Sequence, residues 1–135
     1  MAGPFQSKLK GFGIKTLDRI DKVRRASVLE LFKLVIYSTP VDTGRLRGNW
    51  QTTINSPAGS YLERDDPGGA AAMAEAVANL GSLADVVWFT NNLPYAERIE
   101  YEGWSRQAPE GMVRRHVASW RRIVEAKARA FSTGR

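Results

Sequence analysis

From Ile14 to Tyr37 apolar residues return at helical spacing without a break. At 100° per residue Leu17, Ile20, Val23, Val28, Leu31, Leu34 and Val35 fall in one broad arc, and Lys15, Arg19, Lys22, Glu30 and Lys33 fill the opposite one. The spacing predicts a long amphipathic helix, which must lay its apolar stripe on something else. Asp21 and Arg24 sit three apart inside that stripe, as a partly buried ion pair or a subunit contact. A chain of 135 residues holds one domain with one modest core. That domain is expected over 14–135, because 1–13 ("MAGPFQSKLKGFG") has three glycines, a proline and no clear period, and reads as a flexible arm.

Pro40 disfavours helical geometry at Thr39 and ends the helix there. The alternation in 49–55 ("NWQTTIN") predicts a half-buried strand, and 56–69, dense in turn formers, a long exposed loop. An Ala-rich helix is expected over 70–81 with Gly81 as its stop. Val86 to Thr90 ("VVWFT") reads as a second, well buried strand. Two helical turns follow around Tyr95 to Tyr101, and one last helix runs from Gly111 to Phe131. On that helix Met112, Val113, Val117, Trp120, Ile123, Val124 and Phe131 share one face, and Arg114, Arg115, Arg121, Arg122 and Arg129 the other. His116 falls in the apolar arc and reads as a packed or hydrogen-bonded residue.

The net charge of +6 is unevenly spread: residues 1–33 carry +5, 34–110 carry −5 and 111–135 carry +6. Basic ends around an acidic middle fit nucleic acid, an acidic protein face, or self-association of ends with middle. No cysteine is present, so disulfides and thiolate metal sites are excluded. Lysines and glycines interrupt every apolar run near the start, and none approaches the roughly 20 residues of a membrane span. The expectation is a soluble, cytosolic protein. No zinc-binding, Walker or nucleophile-elbow motif occurs, so no catalytic residue, metal or cofactor is expected.

The tripeptide Asp42-Thr43-Gly44 is the one signal of an enzyme, since aspartic proteases use it. Those enzymes bring two such carboxylates together to share a proton. Here Pro40 and a long helix precede the tripeptide, and Arg45 follows where a small residue belongs and would hold the carboxylate ionised. The better reading makes Asp42 a turn former, accepting from the backbone N–H of Gly44 or Arg45.

Two stretches together, "TPVDTGRLRGNW" (39–50) and "TNNLPYAERIEYEGWSRQAPEGMVRRHV" (90–117), resemble the tail-completion or neck (head–tail joining) protein family of long-tailed bacteriophages and prophages. The matching residues are Pro40, Val41, Asp42, Thr43, Gly44, Leu46, Arg47, Tyr95, Ala96, Glu100, Tyr101, Gly103, Gln107, Pro109, Gly111, Met112, Val113 and Arg114, within a pattern that spans 15–130. Glu102 interrupts the family's Glu-Tyr-Gly run. The resemblance implies an α+β fold, with a small antiparallel sheet packed against the long helix and the C-terminal helix. It implies no catalytic activity. Copies would form a six-membered ring that completes the virion tail, beside a head–tail adaptor, tail terminator or tail tube, with DNA passing through. Assembly would take place in the host cytoplasm. On that reading Pro40, Gly44, Gly103 and Met112 specify the fold, while Arg45, Arg47 and Arg106 serve fold or interface alike. Asp65, Asp66, Glu97, Glu100 and Glu102 would face a neighbour's basic surface, and Arg114, Arg115, Arg121, Arg122 and Arg129 would line the channel or meet an acidic partner. The competing reading is a sequence-independent nucleic-acid binder that lays the arginine stripe along phosphates.

Overall fold

The computed structural model describes residues 3–132, so the first two residues of the expected arm and the last three of the expected domain lie outside it. The fold is α+β, as expected. In chain order it has α1 (Pro4–Ser38), α2 (Arg45–Gly48), β1 (Trp50–Ile54), α3 (Ala70–Ala78), β2 (Val87–Asn91), α4 (Ala96–Glu102), α5 (Arg114–Val117) and α6 (Trp120–Ser132).

The long helix is longer than its main apolar pattern. From Pro4 onward the expected flexible arm forms the first turns of α1. Pro4 stands at the first helical position, where its missing N–H is no loss, and the Gly3 N–H donates to Gln6 Oε1 at 3.2 Å. Gly11 and Gly13 each weaken a helix by about 1 kcal/mol, yet a nucleated helix gains one hydrogen bond for every residue it adds. Phe5, Leu9 and Phe12 also continue the stripe of Ile20 and Val23, a period masked by the glycines. At its other end α1 stops as Pro40 requires, with Thr39 extended at φ −73°, ψ 127°.

β1 and β2 form a two-stranded antiparallel sheet, with Trp50 opposite Asn91 and Ile54 opposite Val87. One face lies on α1: Phe89 stacks between Phe32, at 3.9 Å, and Trp50, at 4.6 Å between ring centres. The expectation of a well buried β2 fails on the other face, where Val86 and Trp88 are 58% and 41% exposed. Nothing among the described residues forms a third layer over them. The core gathers Val35, Ile36, Leu46, Trp50, Leu93, Ile99 and Met112 at the junction of α1, the sheet and α4.

Two further expectations are corrected. The 56–69 segment is not an exposed loop throughout, because polar side chains lace it down. Asn49 Nδ2 donates to the Leu62 carbonyl at 3.0 Å while the Leu62 N–H returns to Asn49 Oδ1 at 2.6 Å. The Arg64 guanidinium reaches the Gly48 and Trp50 carbonyls and Glu75. The expected C-terminal helix is broken at Ala118 and Ser119, with Ser119 accepting the first bond of α6 from the Ile123 N–H at 3.0 Å. Val113 and Val117 are weak helix formers on the N-terminal side of the break, and the Ser119 hydroxyl there accepts from the Arg122 guanidinium at 3.0 Å. α6 then runs antiparallel along α1: Phe131 shares a groove with Lys15 to Lys22, and Ser119 and Ile123 share one with Glu30. No helix among the described residues is long and apolar enough to cross a membrane.

Candidate functional site

The two motif stretches, distant in sequence, meet in space. The Val41 N–H donates to Gln107 Oε1 at 2.9 Å, and Gln107 Nε2 donates back to the Val41 carbonyl at 3.1 Å. One amide side chain therefore pairs with a backbone unit as a neighbouring strand would. Pro40 to Thr43, Arg45, Leu46, Tyr95, Ile99 and Ser105 surround a shallow cavity of about 250 Å³ at this junction. Asp42 is exposed there, and no second carboxylate among the described residues lines the cavity with it.

Asp42 is not the turn former. The Arg45 N–H donates instead to Thr43 Oγ1 at 3.2 Å, one residue along. The bend itself belongs to Gly44, whose φ of +89° is left-handed and whose missing Cβ would strike Pro67. Because Gly44 is held that way, its carbonyl accepts from both the Gly48 and Asp66 N–H groups, at 2.8 and 2.9 Å. Arg47 finishes the junction: it donates to the Thr39 carbonyl at 2.9 Å, the Tyr37 carbonyl at 3.2 Å and the Pro67 carbonyl at 2.7 Å. A cation at the C-terminal carbonyls of α1 suits the helix dipole. Arg47 is thus a fold residue.

The second motif is organised by Glu100, which is only 7% exposed. Its Oε1 accepts from the Met112 and Val113 N–H groups at 2.6 and 2.8 Å, and its Oε2 from the Arg114 N–H and Nε at 2.9 and 3.0 Å. Arg114 also donates to the Glu100 carbonyl at 2.7 Å and lies over the Tyr101 ring. Burial alone would raise this carboxyl's pKa, but the Arg114, Met112 and Val113 N–H groups and the guanidinium outweigh it and hold it below its ordinary value. Gly111 (φ +86°) lets the chain pass against Glu100. Gly103 (φ +62°) ends α4, Pro109 packs behind it, and Met112 enters the core. The interruption by Glu102 is absorbed at the end of α4, where it pairs with Arg98.

Several expected interface residues prove internal. Glu100 is the buried latch just described and cannot face a neighbour. Asp66 is buried too, accepting from the Ala72 N–H at 2.9 Å at the start of α3. Arg114 leaves the arginine stripe for Glu100. Asp65, Glu97 and Arg106 are exposed, and Arg45 lies over the Tyr61 ring near Glu63. Of the stripe, Arg115, Arg121, Arg122 and Arg129 remain exposed, with Arg121 paired to Glu125 and Arg122 to the Ser119 hydroxyl. His116 is hydrogen-bonded to Ser38 at 2.5 Å, and burial and Arg115 lower its pKa against the opposing pull of Glu100. Asp21 and Arg24 do pair, and Arg24 and Arg25 also hold the carbonyls of Leu80 and Gly81 behind α3.

Sequence reasoning missed the Asn49 clamp, the Gln107 clamp and the Glu100 latch. Gln107 stood out only as a motif residue, and the latch left a signal of its own: an acid ahead of the Gly111-Met112-Val113-Arg114 run, whose N–H groups need an acceptor. Among the described residues no group of three or more His, Asp or Glu is placed to hold a metal ion. The chain matches no protein-family model, no curated protein and no solved structure.

Proposed function

We propose that this chain is a non-enzymatic structural protein of a bacteriophage neck. It completes the tail and joins it to the DNA-filled head, as a ring of copies around the DNA channel. The observation that carries the reading is what the motif side chains do. Gln107 and Glu100 bind backbone, Arg47 closes a helix end, and Gly44, Gly103 and Gly111 turn the chain. Residues spent in this way specify a scaffold, and the resemblance to the neck family rests on them. The partners would be further copies and a head–tail adaptor, tail terminator or tail tube, with assembly in the host cytoplasm.

The proposed interface is limited to residues that are exposed in the single chain. Its acidic contribution comes from Asp65, Glu97 and Glu102, because Asp66 and Glu100 are used internally. Its basic contribution comes from Arg115, Arg121, Arg122 and Arg129, together with the lysines of α1. Reversing Glu97 and Glu102 together (E97K with E102K) should lower the mass of assembled particles in sedimentation without moving Tm. Unchanged assembly would remove that face from the interface. The protein should also be found in purified virions, in several copies, by mass spectrometry.

A second reading is favoured by the four exposed arginines: direct, sequence-independent binding of DNA. Binding of that kind weakens steeply with salt, by a slope of roughly one per phosphate contacted. A duplex titration at rising salt therefore separates the two, since a structural ring need not bind free duplex at all.

A further inference from the structure

The sheet has one edge capped along its middle by its own chain and one left open. The Asn55 N–H donates to the Val86 carbonyl at 2.7 Å, which sets the parity of the ladder. Val86, Trp88 and Thr90 turn their backbone groups toward β1, and Val87, Phe89 and Asn91 turn theirs away. On β1 the outward groups of Thr52 and the outward Trp50 carbonyl are capped, while those of Ile54, at the end of the strand, meet no group among the described residues. The Thr52 N–H donates to Glu75 Oε1 at 2.8 Å, Asn79 Nδ2 donates to the Thr52 carbonyl at 2.9 Å, and Arg64 to the Trp50 carbonyl at 3.0 Å. On β2 no group among the described residues meets the N–H or C=O of Val87 or Phe89.

This open edge has none of the usual protections. It carries no charge, no proline and no bulge. On the α1 face of the sheet an apolar cavity of about 190 Å³ is lined by Leu31, Phe32 and Val35 of α1, Trp50 and Phe89 of the two strands, and Val113 and Val117. A row of free backbone groups next to an apolar cavity is the arrangement that accepts an added strand.

We propose that a second copy of this chain covers the edge, β2 against β2, antiparallel about a two-fold axis at Phe89. The product is a four-stranded sheet in the order β1–β2–β2–β1. A second copy is favoured because the free groups of β2 run through the middle of the strand, where those of β1 are capped, and β2 can meet its like without charge repulsion. Centring the axis on Phe89 pairs all of Val87 to Asn91 and sets Trp88 opposite Thr90. The second copy's Val87 and Phe89 side chains then lie on the same face of the sheet as the cavity. A two-fold contact is complete with two copies, so it is separate from any ring contact and goes beyond the neck reading.

The chain's lack of cysteine supplies the test. In this register Trp88 and Thr90 form a non-hydrogen-bonded pair, with Cα atoms about 4.5 Å apart, within disulfide range. The W88C/T90C variant should oxidise to a covalent dimer. Val87→Pro removes an outward N–H and spares the β1 ladder, so it should turn a sedimenting dimer into a folded monomer with Tm little changed. The proposal is overturned if the unmodified chain is monomeric up to its solubility limit. It is equally overturned if Val87→Pro leaves the dimer intact, or if a dimer persists that W88C/T90C cannot lock. None of these results touches the neck reading, which instead falls if virions form normally without the protein.

Discussion

Glu100 carries more of the structure than any other charged residue, because three backbone N–H groups and one guanidinium converge on it. Replacing it with alanine strands buried donors, each worth about 1–3 kcal/mol, so Glu100→Ala should lower stability by about 3 kcal/mol in urea unfolding. A loss below about 0.5 kcal/mol would show that the latch is not formed in solution. Asp42 makes the opposite case. It is exposed and without a hydrogen-bond partner among the described residues, so Asp42→Asn should stay within about 0.5 kcal/mol of the parent. Gly44→Ala should be severe by comparison, since it forces a side chain into left-handed backbone against Pro67. The sequence showed that a turn lay at 42–44 but credited the wrong residue. Short polar side chains one position apart can all accept the same N–H, and which one does depends on where Gly44 points the chain.

At the scale of elements, the legible parts were those whose signal is periodic or local. α1 announced itself through Ile20, Val23, Leu31 and Val35, and Pro40 marked its end. Its first turns were hidden by Gly11 and Gly13, although neither glycine meets another atom within 4 Å of its Cβ position. Replacing both with alanine should increase helical circular dichroism and slow amide exchange over 5–13. Tm should stay fixed, because Phe5 and Phe12 are 72% and 70% exposed and the segment opens independently of the core. A rise of several degrees would instead mean that this part of α1 is packed on the rest. The break before α6 was not legible, for the apolar face runs on through Val117 and Trp120 and no proline or glycine marks 118–119.

For the whole molecule, the Glu100 and His116 ionisations act in the same direction. A carboxyl with a depressed folded pKa contributes stability above its unfolded value and loses it as pH falls through the folded one. A histidine with a lowered pKa favours the neutral folded form, so protonation also works against the fold as pH falls. Stability should therefore decline from neutral pH first through the histidine range and then through the carboxyl range. His116→Gln should remove the first decline in pH-dependent melting, and an unchanged profile would contradict the His116 assignment. What joins the two motifs, the Val41–Gln107 clamp, was beyond sequence reasoning, because Gln107 stood out only as a motif residue and its backbone partner is distant in the chain.

The central claim is that the motif residues build a scaffold that joins phage tails to heads. It is tested most directly by electron microscopy of particles made by a phage lacking this protein. Filled heads and separate, unjoined tails are expected, with joining restored by the parent chain and by the Asp42→Asn variant. Normal virions in its absence, or rescue that fails with Asp42→Asn although that variant folds, would contradict the account.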